Sequence, residues 1–169
     1  MQPDSLSQLK KALYIDKVYH GLSHLSQRSY DKPINLSFSE LRIFSQNGED
    51  GVLFDLFNLI QPENPFFVEF GVGDGWSCNT RLLAQVMGWR GTYFECSDND
   101  FPSLSRMYIN SDRVSCFKEF LSPTNILSIF KRCNIPDDLA LLSIDIDGQD
   151  FWVCSSILSK YNPQVLILE

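Results

Sequence analysis

The residues best placed to do chemistry are Glu69, Gly71, Gly73, Asp74 and Gly75, in the run Glu-x-Gly-x-Gly-Asp-Gly. Glycines let a chain turn sharply and bring bare backbone against a ligand. A helix opening after such a turn adds free amide groups. Without a ligand the same run is a tight strand-to-helix turn. Glu95 follows Gly75 by twenty positions. A carboxylate there can accept both hydroxyls of a ribose, in nicotinamide dinucleotides and in S-adenosylmethionine alike. The turn separates the two ligands. The dinucleotide fingerprint GxGxxG uses its third glycine for close helix packing beside a pyrophosphate. Trp76 occupies that third place and glycine sits at 75, so the spacing fits the methyl donor better.

Asp145-Ile146-Asp147-Gly148 is the next candidate. Two carboxylates flanking an isoleucine point to opposite sides if a strand persists that far. They could act as a general base, hold a divalent metal or contact a ligand's amine. The plainer reading is turn chemistry at Asp147-Gly148, with Asp150 as a helix cap. Ser45-Gln46-Asn47-Gly48-Glu49-Asp50 is a polar cluster ahead of an amphipathic stretch, and capping alone could explain it. Other residues read more blandly. His20 and His24 share one helical face, which reads as solvated. Trp76, Trp89 and Trp152 read as core or rim packing, Phe101 and Tyr108 as core, and Lys10-Lys11 is too short for a nucleic-acid patch. Five cysteines, at 78, 96, 116, 133 and 154, include no CxxC pair. They read as reduced thiols rather than a zinc site or disulfide framework.

The elements that must position these residues alternate in type. Leu6, Leu9, Leu13, Val18 and Leu22 give a loose apolar stripe over an N-terminal helical arm, with Gly21 as a stop signal. Asp31-Lys32-Pro33 reads as a connection. Asn47 to Ile60 reads as a helix, with Asn47 as its cap. Strands are expected at 66–70, 92–96, 114–117, 139–146 and 165–169, and helices at 79–87, 124–132 and 151–161. Such alternation implies a mostly parallel sheet with helices on both faces and right-handed crossovers. Ligands bind such sheets outside the carboxyl ends of the strands. The glycine turn, Glu95, the residues after Phe117 and Asp145–Asp147 would converge there.

The chain has 169 residues, with 14 Lys+Arg against 21 Asp+Glu and a net charge of −7. That length buries roughly 68–70% of the unfolded surface, enough for a core without staples. The acidic balance argues against nucleic-acid or anionic-membrane binding. No apolar run approaches the ~20 residues of a membrane span, and the N-terminus lacks a signal-peptide pattern. A cytoplasmic protein is the resulting expectation. The expected layout is an arm and linker over residues 1–40 and an α/β domain over 41–169.

Together Ser45–Asp50, Phe67–Gly75, Asn79-Thr80, Gly88–Gly91, Glu95 and Ser143–Gly148 resemble the FkbM-type methyltransferases, over residues 43–169. The resemblance implies a Rossmann-like class I methyltransferase sheet. It implies S-adenosylmethionine as cofactor and methyl transfer to a hydroxyl oxygen, on a sugar or another small-molecule or glycan acceptor. By it, Glu69, Gly71, Gly73 and Gly75, with Asp74 and Gln46, would line the cofactor. Glu95 would hold the ribose, and Ser97 and Asp98 would approach the adenine. Asp145 would sit by the cofactor and the reacting hydroxyl. Asp145 or Asp147 would take the proton, directly or through a metal-bound oxygen. A divalent metal is compatible with this reading, but no ligand set is assigned to it. Family sheets have seven strands, whereas five are expected here. The last strand would then leave an apolar edge open to a partner or to self-association. The alternatives are a non-catalytic binding or interaction module and, third, a nicotinamide-dependent oxidoreductase.

Overall fold

The computed structural model describes residues 5–29 and 35–168, with side chains from residue 12. The side chains of Leu6, Leu9, Lys10 and Lys11, the connection at Asp31-Lys32-Pro33 and the terminal Glu169 lie outside the described residues. By its contacts the chain forms two compact units, Met1–Ile60 and Gln61–Glu169.

The first unit holds helix α1 (Ser5–Ser26), a short 3-10 turn (Leu36–Phe38) and helix α2 (Glu49–Ile60). Gly21 does not stop α1. It lies inside the helix, where a Cβ would collide with the side chain of buried Ile43. Arg28 donates to the carbonyls of Gly51 (3.1 Å) and Ser39 (2.9 Å) and pairs with Asp55. The loop before α2 is held from the helix side. Asp50 Oδ2 accepts the amides of Ile43 (2.9 Å), Phe44 (2.7 Å) and Ser45 (2.7 Å) and the Ser45 hydroxyl (2.9 Å). Glu49 accepts the amide of Asn47 at 2.8 Å. The helix starts at Glu49, two residues after the expected cap. His20 Nε2 lies 3.4 Å from Asp16, one turn back on the exposed face.

The second unit is a five-stranded sheet: β1 (Phe66–Phe70), β2 (Arg90–Glu95), β3 (Val114–Lys118), β4 (Leu141–Ile144) and β5 (Val165–Leu168). Helices α3 (Arg81–Gln85), α4 (Phe101–Tyr108), α5 (Ile126–Arg132) and α6 (Asp150–Leu158) connect the strands. The order is β3-β2-β1-β4-β5 and every pairing is parallel. Strand side chains alternate between faces. Val68, Phe70, Phe94, Leu142 and Ile144 pack with Ile126, Ile129 and Phe130 of α5 and Val153, Cys154 and Ile157 of α6 in one core. The other face carries Phe67, Glu69 and Tyr93. There the Phe67 and Tyr93 rings lie 5.1 Å apart, and the Tyr93 ring lies 5.1 Å from that of Tyr108 of α4, tilted by 40°.

In this unit the departures from expectation that bear on the cleft are at α3, α4 and β4. Helix α3 is shorter than 79–87, because Asn79 and Thr80 are drawn out of it by Glu69. Helix α4 is not among the expected elements; it is only eight residues long, though amphipathic. It opens with Phe101-Pro102 and is fixed by buried Leu104 and Tyr108. Strand β4 ends at Ile144, not 146, so Asp145 and Asp147 belong to a loop and are not divided between faces.

Candidate functional site

Strand order reverses between β1 and β4, and in open parallel sheets this switch point is where ligands bind. A cleft of about 340 Å³ opens there. Its lining includes Gly71 and Gly73 after β1, Glu95 as the last residue of β2 and Cys96 after it, Glu119 and Phe120 after β3, and Asp145, Asp147 and Gln149 after β4. Strands β1, β2, β3 and β4 each contribute residues at or just past the carboxyl end, where a parallel sheet gathers them.

The two walls of the switch point touch through backbone. Gly71 has φ +69°, and a Cβ there would collide with the carbonyl oxygen of Asp145. Only glycine suits both the conformation and the approach. Gly73 has φ +56°, but a Cβ there would meet no atom within 4 Å. Its amide donates to Glu95 Oε2 at 2.7 Å, and Ser97 N–H donates to Oε1 at 2.7 Å. Glu95 is 7% exposed. It ties the β1 turn to the end of β2, and an ionised carboxylate has about four acceptor positions, so two remain.

Glu69 is buried and is not among the cleft's lining residues. Its Oε1 accepts the Asn79 amide (2.8 Å), and its Oε2 accepts the Thr80 amide (3.0 Å) and hydroxyl (2.6 Å). The amides at the start of α3 are therefore engaged by this carboxylate, not offered to a ligand. The Thr80 hydroxyl lies 3.0 Å from the Tyr93 hydroxyl, which lies 3.4 Å from that of Tyr108. Asn79 Nδ2 donates to Ser143 Oγ on β4 at 3.2 Å. Burial pushes the Glu69 carboxyl up to about 7; hydrogen bonds from Thr80 and Asn79 pull against this, and the charge of Asp145 adds to it.

Asp145 and Asp147 are exposed and line the same cleft. Asp147 has φ +52°, uncommon for a residue with a side chain. Asp74 accepts the Trp76 amide at 3.0 Å, and Gly75 closes a turn onto Val72, so both shape the loop from outside the cleft lining. Ser97 Oγ accepts the amides of Asn99 and Asp100 at 3.2 Å each, and Asp98 is ion-paired with Lys118. Gln46 is exposed in the first unit. Sequence reasoning pointed to the segment after Phe117 but not to Glu119 and Phe120, and it passed over Cys96 and Gln149. Strand-end position was the available signal.

The lining has a definite charge. Glu95, Glu119, Asp145 and Asp147 are acids, and no Lys, Arg or His lines the cleft among the described residues. Glu119 is paired with Arg132 of α5. Among the described residues no three His, Cys, Asp or Glu side chains form a metal-holding group. None of their helices is long and apolar enough to cross a membrane.

This parallel sheet, with helices on both faces and a glycine turn at its switch point, is a Rossmann-like class I methyltransferase fold. Among solved structures the chain is similar to a candidate O-methyltransferase from Klebsiella pneumoniae, with 16% identity and a TM-score of 0.51. The match covers 93% of this chain and 66% of that one, so the chain spans just under two thirds of that protein's length. At that identity the likeness establishes the fold. No family model matches the chain, and no curated protein matches it.

Proposed function

We propose that the cleft binds S-adenosylmethionine and that the chain directs methyl transfer to a hydroxyl oxygen of a sugar or other small-molecule or glycan acceptor. The observation that carries this reading is the charge of the cleft at the switch point. Among the described residues the lining carries four carboxylates, of which Glu119 is already paired with Arg132 from outside the lining, and no cationic side chain; this favours a ligand bearing positive charge, as a sulfonium and an α-ammonium do. The carboxylates oppose a pyrophosphate, which weighs against the nicotinamide reading. The residues also fit the group's shape. Gly73 leaves open space beside the cleft, and Glu95 has two acceptor positions for the ribose hydroxyls.

When bound, the cofactor supplies a methyl group on a positively charged sulfur. The chain's own part is alignment and proton removal. Glu95 and the backbone of Gly71 and Gly73 orient the ligand, and orientation removes much of the entropic barrier. Asp145 or Asp147, on the opposite wall, accepts the proton of the acceptor hydroxyl. The resemblance to FkbM-type enzymes supports the oxygen acceptor.

Calorimetric titration with S-adenosylmethionine and S-adenosylhomocysteine, beside Glu95→Gln and Glu95→Ala, tests the reading. Two hydrogen bonds to a charged acceptor are worth roughly 1.5–3 kcal/mol each. Losing both should weaken binding about a hundredfold or more in the alanine variant. A folded wild type that binds neither compound refutes the reading.

A second reading is a non-catalytic binding module, favoured by the edge strand β5. Leu166 and Leu168 are 41% and 43% exposed there, and exposed apolar side chains favour association. Cofactor binding without turnover of any hydroxyl acceptor, with concentration-dependent association in light scattering, would support it.

A further inference from the structure

The loop that carries Asp145 and Asp147 is held by a residue that does not itself line the cleft. Asp150, at the first turn of α6, is 8% exposed and is not among the cleft-lining residues. Its Oδ1 accepts the Ile146 amide at 2.8 Å and its Oδ2 accepts the Gly148 amide at 2.9 Å. One carboxylate therefore grips the backbone on both sides of Asp147. Between those two bonds the chain takes φ +52° at Asp147 and +100° at Gly148. A left-handed residue with a side chain is unfavourable in isolation and persists only where surrounding structure fixes it. Asp150 is the group that fixes it. Burial alone would raise its carboxyl pKa, but the amides of Ile146, Gly148 and Asp150 outweigh this and hold it below the usual range. A second observation ties the same loop to the cofactor wall: the Asp145 carbonyl abuts Gly71 so closely that no Cβ fits between them.

We infer that Asp150 is the positioning residue of the cleft: its grip on the Ile146 and Gly148 amides holds Asp145 and Asp147 against the glycine turn before any ligand arrives. Its consequence for ligand affinity rests on the cofactor reading given above. A preset loop spares the ligand the ordering it would otherwise impose. Asparagine at 150 keeps the shape but offers one acceptor oxygen and turns an NH₂ group toward the other amide.

The test compares wild type, Asp150→Asn and Asp150→Ser by amide hydrogen exchange and by calorimetry with S-adenosylhomocysteine. In Asp150→Asn, exchange at Ile146 and Gly148 should speed up about tenfold or more, while protection in β1 and β2 stays at wild-type level. Affinity for S-adenosylhomocysteine should fall about tenfold at a temperature where both proteins are fully folded. The serine variant, which retains one weak acceptor, serves if the asparagine variant does not fold. Unchanged exchange at Gly148 overturns the inference, because Asp150 then does not hold the loop. Faster exchange with unchanged affinity overturns it also, because the loop then positions nothing for the ligand. A wild type that does not bind S-adenosylhomocysteine refutes the cofactor reading instead, and the exchange data still decide whether Asp150 holds the loop.

Discussion

Two glycines two residues apart separate the contribution of the turn to folding from its contribution to binding. Gly71 and Gly73 both have left-handed backbones, at φ +69° and +56°. Alanine in that region costs about 1–2 kcal/mol at either site. The sites differ in what the new methyl meets. At 71 it runs into the backbone carbonyl of Asp145, which no rotamer change can relieve; at 73 it meets no atom within 4 Å. Overpacking of that kind adds about 1–3 kcal/mol. Gly71→Ala should therefore lose about 2–5 kcal/mol and Gly73→Ala about 1–2. With a urea slope near 2 kcal/mol/M, these correspond to midpoint drops of roughly 1–2.5 M and 0.5–1 M. Binding should rank the other way relative to stability. The methyl at 73 stands in space the ligand needs, so Gly73→Ala should weaken S-adenosylhomocysteine at least about tenfold while remaining folded. Urea unfolding and calorimetry on the same preparations give both numbers. Equal midpoints for the two variants refute the close approach of the β1 turn to the β4 loop. Wild-type affinity in Gly73→Ala refutes the placement of the ligand over that turn.

Two further predictions concern acids outside the cleft lining. Glu69 has a folded pKa of about 7 against an ordinary value of 4.5, so the folded state binds more protons between those values. Its contribution to stability is therefore greatest below about 4.5 and declines as pH rises through about 7, by about 3 kcal/mol in all. Urea midpoints at pH 5 and pH 8 should show that decline in wild type and lack it in Glu69→Gln; the same pH dependence in both would contradict the assignment. In the first unit, Asp50→Ala leaves three buried loop amides without their acceptor. At roughly 1–3 kcal/mol each it should be among the most destabilising single changes there, and a thermal melt within a degree of wild type would contradict this.

Much of the site was legible from particular residues. The glycine turn, Glu95 and Asp145 lie at strand ends that alternation alone brings to one edge, and the structure lines one cleft with all three. What was not legible depends on acids reaching across the chain. A local pattern reads Asn79 to Met87 as one helix, but Glu69 on β1 takes the amides of Asn79 and Thr80 and delays its start to Arg81. A run of Leu, Ser and Ile suggests strand to residue 146, but Asp150 takes the amides of Ile146 and Gly148 and lifts the chain off the ladder after Ile144. Gly21 looks like a helix stop because the side chain that needs its space, Ile43, is 22 residues away. Helix α4 has ordinary local propensity and forms because Leu104 and Tyr108 are buried.

The Glu69 and Asp150 cases share a cause that also bears on function. Asp50, Glu69, Glu95 and Asp150 are each under 10% exposed, and each holds two or more backbone amides. Carboxylates are suited to this because one side chain presents several acceptor positions at two oxygens. Part of the net charge of −7 therefore sits inside the fold as loop fasteners rather than on a solvated surface. At the switch point that use of acids has an electrostatic by-product. Glu95 is recruited to tie the turn and remains at the cleft, and the loop fastened by Asp150 brings Asp145 and Asp147 to its other side. Because the groups that shape the cleft are themselves anions, shape and charge select together. The ligand must fit over bare glycine backbone and also carry positive charge into a site with no cation of its own among the lining residues. A neutral ligand of the same shape gains only the first of these. S-adenosylmethionine should therefore bind more tightly than S-adenosylhomocysteine at low ionic strength, and the gap should narrow as salt screens the field. If the two bind equally at low salt, the acids hold the loops and nothing more.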